Sequence, residues 1–299
     1  MISVILPTYN RANWLIESVE SIMAQDYKDW ELIIVDDCST DNTGEIVKKL
    51  IGKDSRIRYI RNDSNKKLPA SLNVGMRHAK GEYITWTSDD NTYKSNAFSV
   101  MLKVMEGCSA EIGLVFAEFD HIDKNGKKVG TYKIPNNLNK IYWENIVGCA
   151  FLYKRSVIDK IGWYDENKFL IEDYDYWLRI ADCFEIKPIR KSIYNSRIHD
   201  NSLSTTRAKE VLQLKHKILK ENLNKKINDE IRKMIYQELA LISYELDDYA
   251  NMYKCVEIAL KKYPDIKFNK RIKRAIFLGE SFTRIYKKIR AFTRMYKKI

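Results

Sequence analysis

Short apolar runs alternate with helix-patterned segments along the first hundred residues, and this alternation restricts the fold more than any other feature. Parallel neighbouring strands need a crossover connection, usually a helix, so the pattern favours a parallel sheet covered by helices. Ligands of such sheets gather at the carboxyl ends of the strands. The predicted strands are Ser3–Leu6, Leu32–Val35, Arg56–Arg61 and Tyr83–Trp86, and the predicted helices are Trp14–Ile22, Thr43–Leu50 and Pro69–Ala79.

The pattern changes from Gly113, where Leu114–Phe119 and Lys128–Lys133 are predicted as antiparallel strands on either side of a turn. We expect a hairpin whose turn takes its positive φ angles from Asn125 and Gly126. A further strand is predicted over 149–153, a helix over 172–181 and another strand over 189–198. The first two hundred residues therefore predict an α/β domain with a mixed sheet flanked by helices.

The chain length of 299 residues fits one core-forming domain and a smaller appendage. From Arg207 onward the pattern is almost continuously helical. We therefore predict an α/β domain over 1–206, a helical appendage over 207–264, and a basic amphipathic helix or tail over 265–299.

Positive charge is concentrated in residues 266–299, which hold twelve Lys and Arg residues and one acid, in a chain of net charge +12. The apolar residues of 282–299 recur at steps of three and four, in two copies that each begin Phe-Thr-Arg. An apolar face beside a cationic face suits an anionic membrane surface. The alternative is a basic helix packed on the body of the protein. We expect no nucleic-acid partner, because no reading module is recognisable.

Cysteine usage and the first residues indicate the compartment. Five Cys without a Cys-x-x-Cys pair argue against a disulfide framework or a structural zinc site. The apolar run before Pro7 is too short for a signal peptide or a membrane span. We expect a cytoplasmic protein that is peripheral on the cytoplasmic face of the membrane through its basic tail.

Two pairs of acidic residues follow predicted strands. Asp36 and Asp37 can offer carboxylates to a base N–H or a ribose hydroxyl, although Asp-rich turns commonly serve as helix caps. Asp89 and Asp90 offer hard oxygen ligands for Mg²⁺ or Mn²⁺, which usually complete their shell with substrate phosphates. Exposed acids in a loop are the structural alternative for this second pair.

A third pair, Glu172 and Asp173, begins a predicted helix. Acids are favoured there by the positive end of the helix, so capping is the default interpretation. A general base also needs a carboxylate on a rigid element that faces the substrate crevice. Because the two residues are adjacent, their side chains diverge on the helix.

Taken together, these segments resemble glycosyltransferase family 2, whose members have the GT-A fold. The resemblance covers about residues 1–205, and the stretch Tyr83–Asn91 looks particularly like a spore-coat polysaccharide glycosyltransferase of that family. It is carried, in chain order, by Leu6–Arg11, Val35–Asp41, Gly81–Asp90 and the Glu172-Asp173 pair.

The resemblance implies a role for each segment. Asp37, with Asp36 nearby, would read the uracil, and Asp90 would hold Mn²⁺ or Mg²⁺ on the diphosphate. Asp173 would be the catalytic base, with Glu172 as the second candidate. The implied donor-binding residues are Pro7, Thr8, Tyr9, Asp36, Asp37, Lys67 and Asp89, and the implied metal-site residues are Asp90, Asp89 and His199.

Two positions depart from the family pattern. Thr87 stands where many members carry a third acid, so the expected metal site has fewer carboxylate ligands. Leu72 stands where many members carry Arg. The cationic contact to the donor is therefore expected from Lys66, Lys67 or Arg77.

The function implied by the resemblance is inverting, metal-dependent transfer of a sugar from a nucleoside-diphosphate donor, with UDP expected. The acceptor would be a hydroxyl of a glycan or lipid-linked glycan in surface polysaccharide assembly. One alternative is a non-catalytic scaffold that binds sugar nucleotides. A nucleotidyltransferase is a weaker alternative, because residues 7–15 contain no Gly-rich phosphate loop.

Overall fold

The computed structural model describes residues 1–280 and Thr283, and the chain divides into two compact units. The first unit contains residues 1–141 and 145–206. The second contains residues 142–144 and continues from Arg207. The basic repeat of residues 282–299 lies outside the described residues, apart from Thr283.

The described part of the first unit forms a nine-stranded mixed sheet. Its order is β3-β2-β1-β4-β8-β6-β9-β5, with β7 paired to β6. The first four strands are parallel to one another, whereas β8 is antiparallel to both of its neighbours. The strands are β1 (Ile2–Thr8), β2 (Trp30–Asp36), β3 (Ile57–Arg61), β4 (Tyr83–Trp86), β5 (Thr92–Tyr93), β6 (Ile112–Ile122), β7 (Lys128–Tyr132), β8 (Phe151–Lys154) and β9 (Glu185–Arg197).

Helices cover this sheet because their apolar residues share one face. The first helix, for example, buries Leu15, Val19 and Ile22 at steps of three and four. The helices of the first unit are α1 (Ala12–Met23), α2 (Thr43–Ile51), α3 (Leu68–His78), α4 (Ala97–Glu106), α5 (Arg155–Ile161), α6 (Glu172–Cys183) and α7 (Leu203–Thr206). The third helix packs on β1 and β2, and the fourth packs on β6.

The register of the parallel strands aligns their carboxyl ends. Thr8 at the end of β1 lies opposite Asp36 of β2, and Ile5 lies opposite Trp86 of β4. The chain leaving β4 continues beside β1, since Thr87 N–H donates to Ile5 O at 3.0 Å. Acidic residues that follow β2 and β4 in the sequence therefore emerge at one edge of the sheet.

The predicted α/β fold with a mixed sheet flanked by helices is confirmed, but the hairpin turn differs from its prediction. Gly126 has a φ of +82°, whereas Asn125 is not among the residues with positive φ. The Asp123 carboxylate instead accepts hydrogen bonds from the N–H groups of Asn125 and Lys127, both at 2.9 Å. One left-handed residue is sufficient, because an Asp side chain organises the rest of the loop.

The second unit is helical in its described part. It contains α8 (Ala208–Asn222), α9 (Asp229–Glu245), α10 (Tyr249–Lys262) and a helical stretch over 270–280. Ile266, Phe268, Ile272 and Ala275 are buried in the same core as residues of α9 and α10. The start of the basic segment is therefore part of this helical core. None of the described helices combines the length and apolar content that crossing a membrane requires.

Gly75 in α3 lies close against β1 and β2, and an added methyl group tests that packing. A Cβ there would lie 2.5 Å from Ile5 Cγ2 and 3.2 Å from Val35 Cγ2. We expect Gly75→Ala to lower the free energy of unfolding by about 1–3 kcal/mol through overpacking, measured by urea denaturation. Gly52→Ala is the control, because its nearest neighbour is Lys49 O at 3.5 Å. Equal stability of the two variants would contradict this packing.

Candidate active site

Thr8, the last residue of β1, connects the first two acidic pairs. Its carbonyl accepts a hydrogen bond from Asp37 N–H at 2.9 Å, and its hydroxyl donates to Asp89 Oδ2 at 2.8 Å. On either side of it, Pro7 is buried and the Tyr9 side chain is 46% exposed. The structure thus brings both pairs to the carboxyl edge of β1, beside an accessible aromatic ring.

Asp36 and Asp37 are buried acids whose oxygens are engaged by hydrogen-bond donors. Asp36 accepts from Ser39 N–H at 2.7 Å and from the Tyr59 hydroxyl at 2.6 Å. These contacts hold the turn after β2 against β3.

The Asp37 carboxylate shapes the loop between β3 and α3. It accepts hydrogen bonds from the Asn62 side-chain amide at 2.8 Å and from the N–H groups of Lys66 and Lys67 at 2.8 and 2.9 Å. Lys67 has a φ of +73°, and its side chain is exposed. Asp37 therefore anchors the loop that carries both lysines.

Asp90 is the centre of a charged cluster with Arg11 and His199. Its Oδ2 lies 2.7 Å from Arg11 Nη1 and 2.9 Å from His199 Nε2. The Trp14 ring lies 4.5 Å from the His199 ring, centroid to centroid, and restricts the imidazole on that side. Burial, and after it the charge of Asp90, raise the pKa of the neighbouring Asp89 to about 7. Negative charge is thus concentrated where the chain leaves β4.

Arg11 is a cation of this site that sequence reasoning missed. It belongs to the Leu6–Arg11 segment, but the cationic contact to the donor was expected from Lys66, Lys67 or Arg77. Arg77 instead lies 5.8 Å from the centroid of the Trp163 ring. The position of Arg11 just after the polar end of β1 was the available signal.

The expected metal site contains two suitable donors in close contact rather than three. Within the described residues, no group of three His, Cys, Asp or Glu side chains could hold a metal ion. Asp90 Oδ2 and His199 Nε2 are nevertheless 2.9 Å apart. These two side chains are the residues that would hold a divalent ion, and a carboxylate oxygen is a ligand type that suits Mg²⁺ and Mn²⁺.

An aromatic cluster fixes α6 on the sheet and so positions the third acidic pair. The Phe151 and Trp177 rings have centroids 4.5 Å apart, and Tyr153 and Tyr176 are 5.7 Å apart. Tyr164 stacks on Tyr176 at 4.1 Å. Buried aromatic pairs stabilise by their area and by their ring geometry, which makes the first turn of α6 a rigid platform.

Glu172 and Asp173 occupy this first turn in different surroundings. Glu172 is 4% exposed, and its Oε2 has no hydrogen-bond partner among the described residues. Asp173 is half-buried and accepts from the Asn145 side-chain amide at 2.8 Å and from Tyr174 N–H at 2.6 Å. Burial raises the pKa of both carboxyl groups, and the charge of Asp173 raises that of Glu172 further.

Cys149 lies two residues before β8, and charges of the second and third acidic pairs both affect its thiol. Burial is the main cause that raises the pKa of this thiol to about 12, and the negative charges of Asp90 and Asp173 contribute to the rise.

The glycosyl transferase family 2 model matches residues 3–162, more than half of the chain. An uncharacterized glycosyltransferase of Methanocaldococcus jannaschii is 33% identical over 68% of this chain and 73% of its own length. The Escherichia coli glucosyltransferase WfaP is 29% identical over 71% of this chain and 83% of its own length. Three rickettsial relatives, each 28% identical, are longer, and the aligned part spans 30–66% of their length.

Two solved structures share the fold. The mannosyltransferase PcManGT of Pyrobaculum calidifontis, determined with GDP-Man and Mn²⁺, has a TM-score of 0.65 at 18% identity and covers 98% of this chain and 83% of its own. Residues 1–349 of Staphylococcus aureus TarS, determined with UDP-GlcNAc, give 0.63 at 19% identity, covering 87% of this chain and 80% of TarS. These likenesses establish a GT-A-type fold. The family model and the archaeal relative show that the chain belongs to glycosyl transferase family 2.

Proposed function

We propose that this chain is an inverting, metal-dependent glycosyltransferase that moves a sugar from a nucleoside-diphosphate donor, with UDP preferred, to a hydroxyl of a glycan or lipid-linked acceptor. One observation carries the proposal: Arg11, Asp90 and His199, from distant parts of the chain, meet where the chain leaves β4, beside the contact between Thr8 and Asp89. This charged cluster suits the donor diphosphate, and the Asp173 carboxylate at the start of α6 suits proton transfer. Membership of family 2 supports the reaction class.

The donor nucleotide is proposed to bind along the carboxyl edge of β1 and β2. Similar folds were determined with UDP-GlcNAc and with GDP-Man, which supports a nucleoside diphosphate as the donor class. Pro7, Thr8 and Tyr9 offer main chain and one exposed ring to the base and ribose. The remaining proposed contacts come from Asp36, Asp37 and Asp89 and from the cations Lys67 and Arg11.

Asp90 and His199 are the residues that would hold Mn²⁺ or Mg²⁺, with Asp89 beside them. The ion supplies Lewis-acid stabilisation of the charge that develops on the departing diphosphate. Arg11 already contacts the Asp90 carboxylate at 2.7 Å, so its guanidinium lies close enough to offset charge at the same place.

Asp173 is proposed to accept the proton of the attacking acceptor hydroxyl. It is half-buried and can be reached by a substrate, whereas Glu172 is almost fully buried. A base that activates a direct attack produces a single displacement, which inverts the anomeric centre and requires no covalent enzyme intermediate.

The proposed acceptor class and the proposed location of the protein rest on the basic segment and on one relative. WfaP is described as acting on a GlcNAc-diphosphoundecaprenol, a lipid-linked acceptor. A peripheral position on an anionic membrane, through the cationic end of the chain, would give access to such a lipid. We therefore propose assembly of surface polysaccharide at the cytoplasmic face of the membrane.

Removing the Asp90 carboxylate tests the metal and donor site. We expect UDP-glucose, UDP-GlcNAc or GDP-mannose to raise the melting temperature of the wild-type protein in the presence of Mn²⁺ and not with EDTA. Asp90→Ala should abolish this Mn²⁺-dependent shift and lower donor turnover by about 10²- to 10⁴-fold. Asp54→Ala, which removes a carboxylate paired with Arg56, is the matched control. Stabilisation of Asp90→Ala equal to that of the wild type would exclude the proposed site.

Amide substitutions in the third acidic pair identify the base. We expect Asp173→Asn to lower turnover by about 10²- to 10⁴-fold while nucleotide binding is retained, because an amide cannot accept the proton. Glu172→Gln should cost less than about tenfold, since Gln resembles a protonated Glu. Turnover is measured as release of the nucleoside diphosphate. The reverse order of the two losses would assign the base to Glu172.

Truncation after Thr283 tests the membrane proposal without removing residues of the described helical core. We expect the truncated protein to lose binding to vesicles containing phosphatidylglycerol while its nucleotide binding is unchanged, because most of the terminal cations are removed. Sedimentation with anionic and with neutral vesicles measures the effect. Truncation removes seven Lys and Arg residues, and replacement of Lys254, Lys261 and Lys262 by Gln shows what the loss of three positive charges elsewhere in the helical unit does to binding. Retention of vesicle binding after truncation would refute the proposal.

A further inference from the structure

Asn145 lies just before β8 and contacts the proposed base directly. Its Nδ2 donates to Asp173 Oδ2 at 2.8 Å, and its Oδ1 faces Gly148 N–H at 3.4 Å. The backbone N–H on the Oδ1 side fixes the orientation of the amide, so the N–H₂ end must be the one at the carboxylate. The contact is therefore a hydrogen bond that Asn145 donates to Asp173.

Hydrogen-bond donors meet Asp173 on both oxygens. Oδ1 accepts from Tyr174 N–H at 2.6 Å, and Oδ2 accepts from Asn145. Two such donors stabilise a carboxylate and have less to offer a protonated acid, which has one acceptor oxygen fewer. The adjacent Glu172 is stabilised by backbone N–H groups of Leu170 and Ile171, but its buried Oε2 has no hydrogen-bond partner in the described part of the chain. Donors thus meet both oxygens of Asp173 and leave one oxygen of Glu172 without a partner.

We propose that Asn145 is a positioning residue that keeps Asp173 ionised and oriented while Glu172 beside it carries the proton. The inference rests on the proposed role of Asp173 as the base. Because the charge of Asp173 opposes ionisation of the buried Glu172 beside it, ionisation of Asp173 favours a protonated Glu172. The Asn145 amide favours the ionised form of Asp173, and this leaves the more accessible carboxylate free to accept a proton.

Of the titratable groups that face Asp173, Glu172 is the main one that can change its charge near neutral pH. Tyr164 and Cys149 also interact with Asp173, but burial raises the pKa of both well above neutrality, so both remain uncharged. Burial raises the pKa of Asp173 itself, while the Tyr174 N–H and the Asn145 amide lower it. Removing the Asn145 donor must therefore raise the pKa of Asp173 and reduce its ionised fraction at a given pH.

Two substitutions separate this role from a purely structural one. Asn145→Asp keeps the size of the side chain and the oxygen that faces Gly148 N–H, but it puts a carboxylate oxygen in place of the N–H₂ donor. Asn145→Ala removes the amide altogether. For both variants, we expect the acid limb of the turnover–pH profile to shift by about 1 unit to higher pH. At pH values below the limb, turnover should therefore fall about tenfold. Turnover should recover at pH values above the limb, and the nucleotide dissociation constant should stay unchanged. Turnover is nucleoside diphosphate release from the nucleotide sugar that stabilises the wild type most.

The outcomes distinguish this inference from the proposed function. Asn139→Ala, an exposed position on the same connecting segment, should show the wild-type profile. A wild-type profile in both Asn145 variants, alongside inactive Asp173→Asn, would overturn the positioning role and leave the base in place. An active Asp173→Asn would overturn both. A loss at every pH without recovery, or unfolding of both Asn145 variants, would show that the residue is only structural.

Discussion

The shared register of β1, β2 and β4 is the constraint on which the rest of the first unit depends. Thr8 pairs with Asp36 and Ile5 with Trp86, so the residues that follow these strands emerge together. Side chains alternate between the two faces of a strand, so slippage by one residue would move each set to the opposite face. The Thr8 contacts to Asp37 and Asp89 would then be lost. The site is therefore a consequence of strand pairing before it is a property of any one loop.

Buried carboxylates of this chain differ in how far hydrogen bonds and cations offset the cost of their burial. Asp36 and Asp37 accept hydrogen bonds on their oxygens and hold turns in place. Asp120 is similar, because Lys94, Lys128 and Thr131 surround it and its pKa is lowered.

Asp89 and Glu172 differ from these acids in how their burial is compensated. Their burial is incompletely offset, and their pKa values rise. Keeping such groups is costly for folding, so their presence at the strand edge and at the start of α6 points to a function. The same reasoning could not have been applied to the sequence, where all of these acids look alike.

Periodicity predicted most of the architecture because helices and strands are set by local patterns. It gave the four parallel strands and the helix that carries Asp173, and it placed three acidic pairs at element ends. It missed Arg11 and Asn145, whose partners Asp90 and Asp173 are remote in the chain. Long-range pairing depends on sheet order, and periodicity contains no information on which strand lies beside which.

The basic segment shows a second limit of pattern reasoning. An apolar face opposite a cationic face predicts a helix with a partner, but it does not tell a protein core from a lipid surface. Ile266, Phe268, Ile272 and Ala275 are buried in the core of the helical unit, so their apolar face already has a protein partner. The apolar residues of 282–299, which recur at steps of three and four, are the part of the basic segment that the membrane proposal rests on. A cationic segment can thus begin as part of a folded core and still leave its terminal residues to contact anionic lipid.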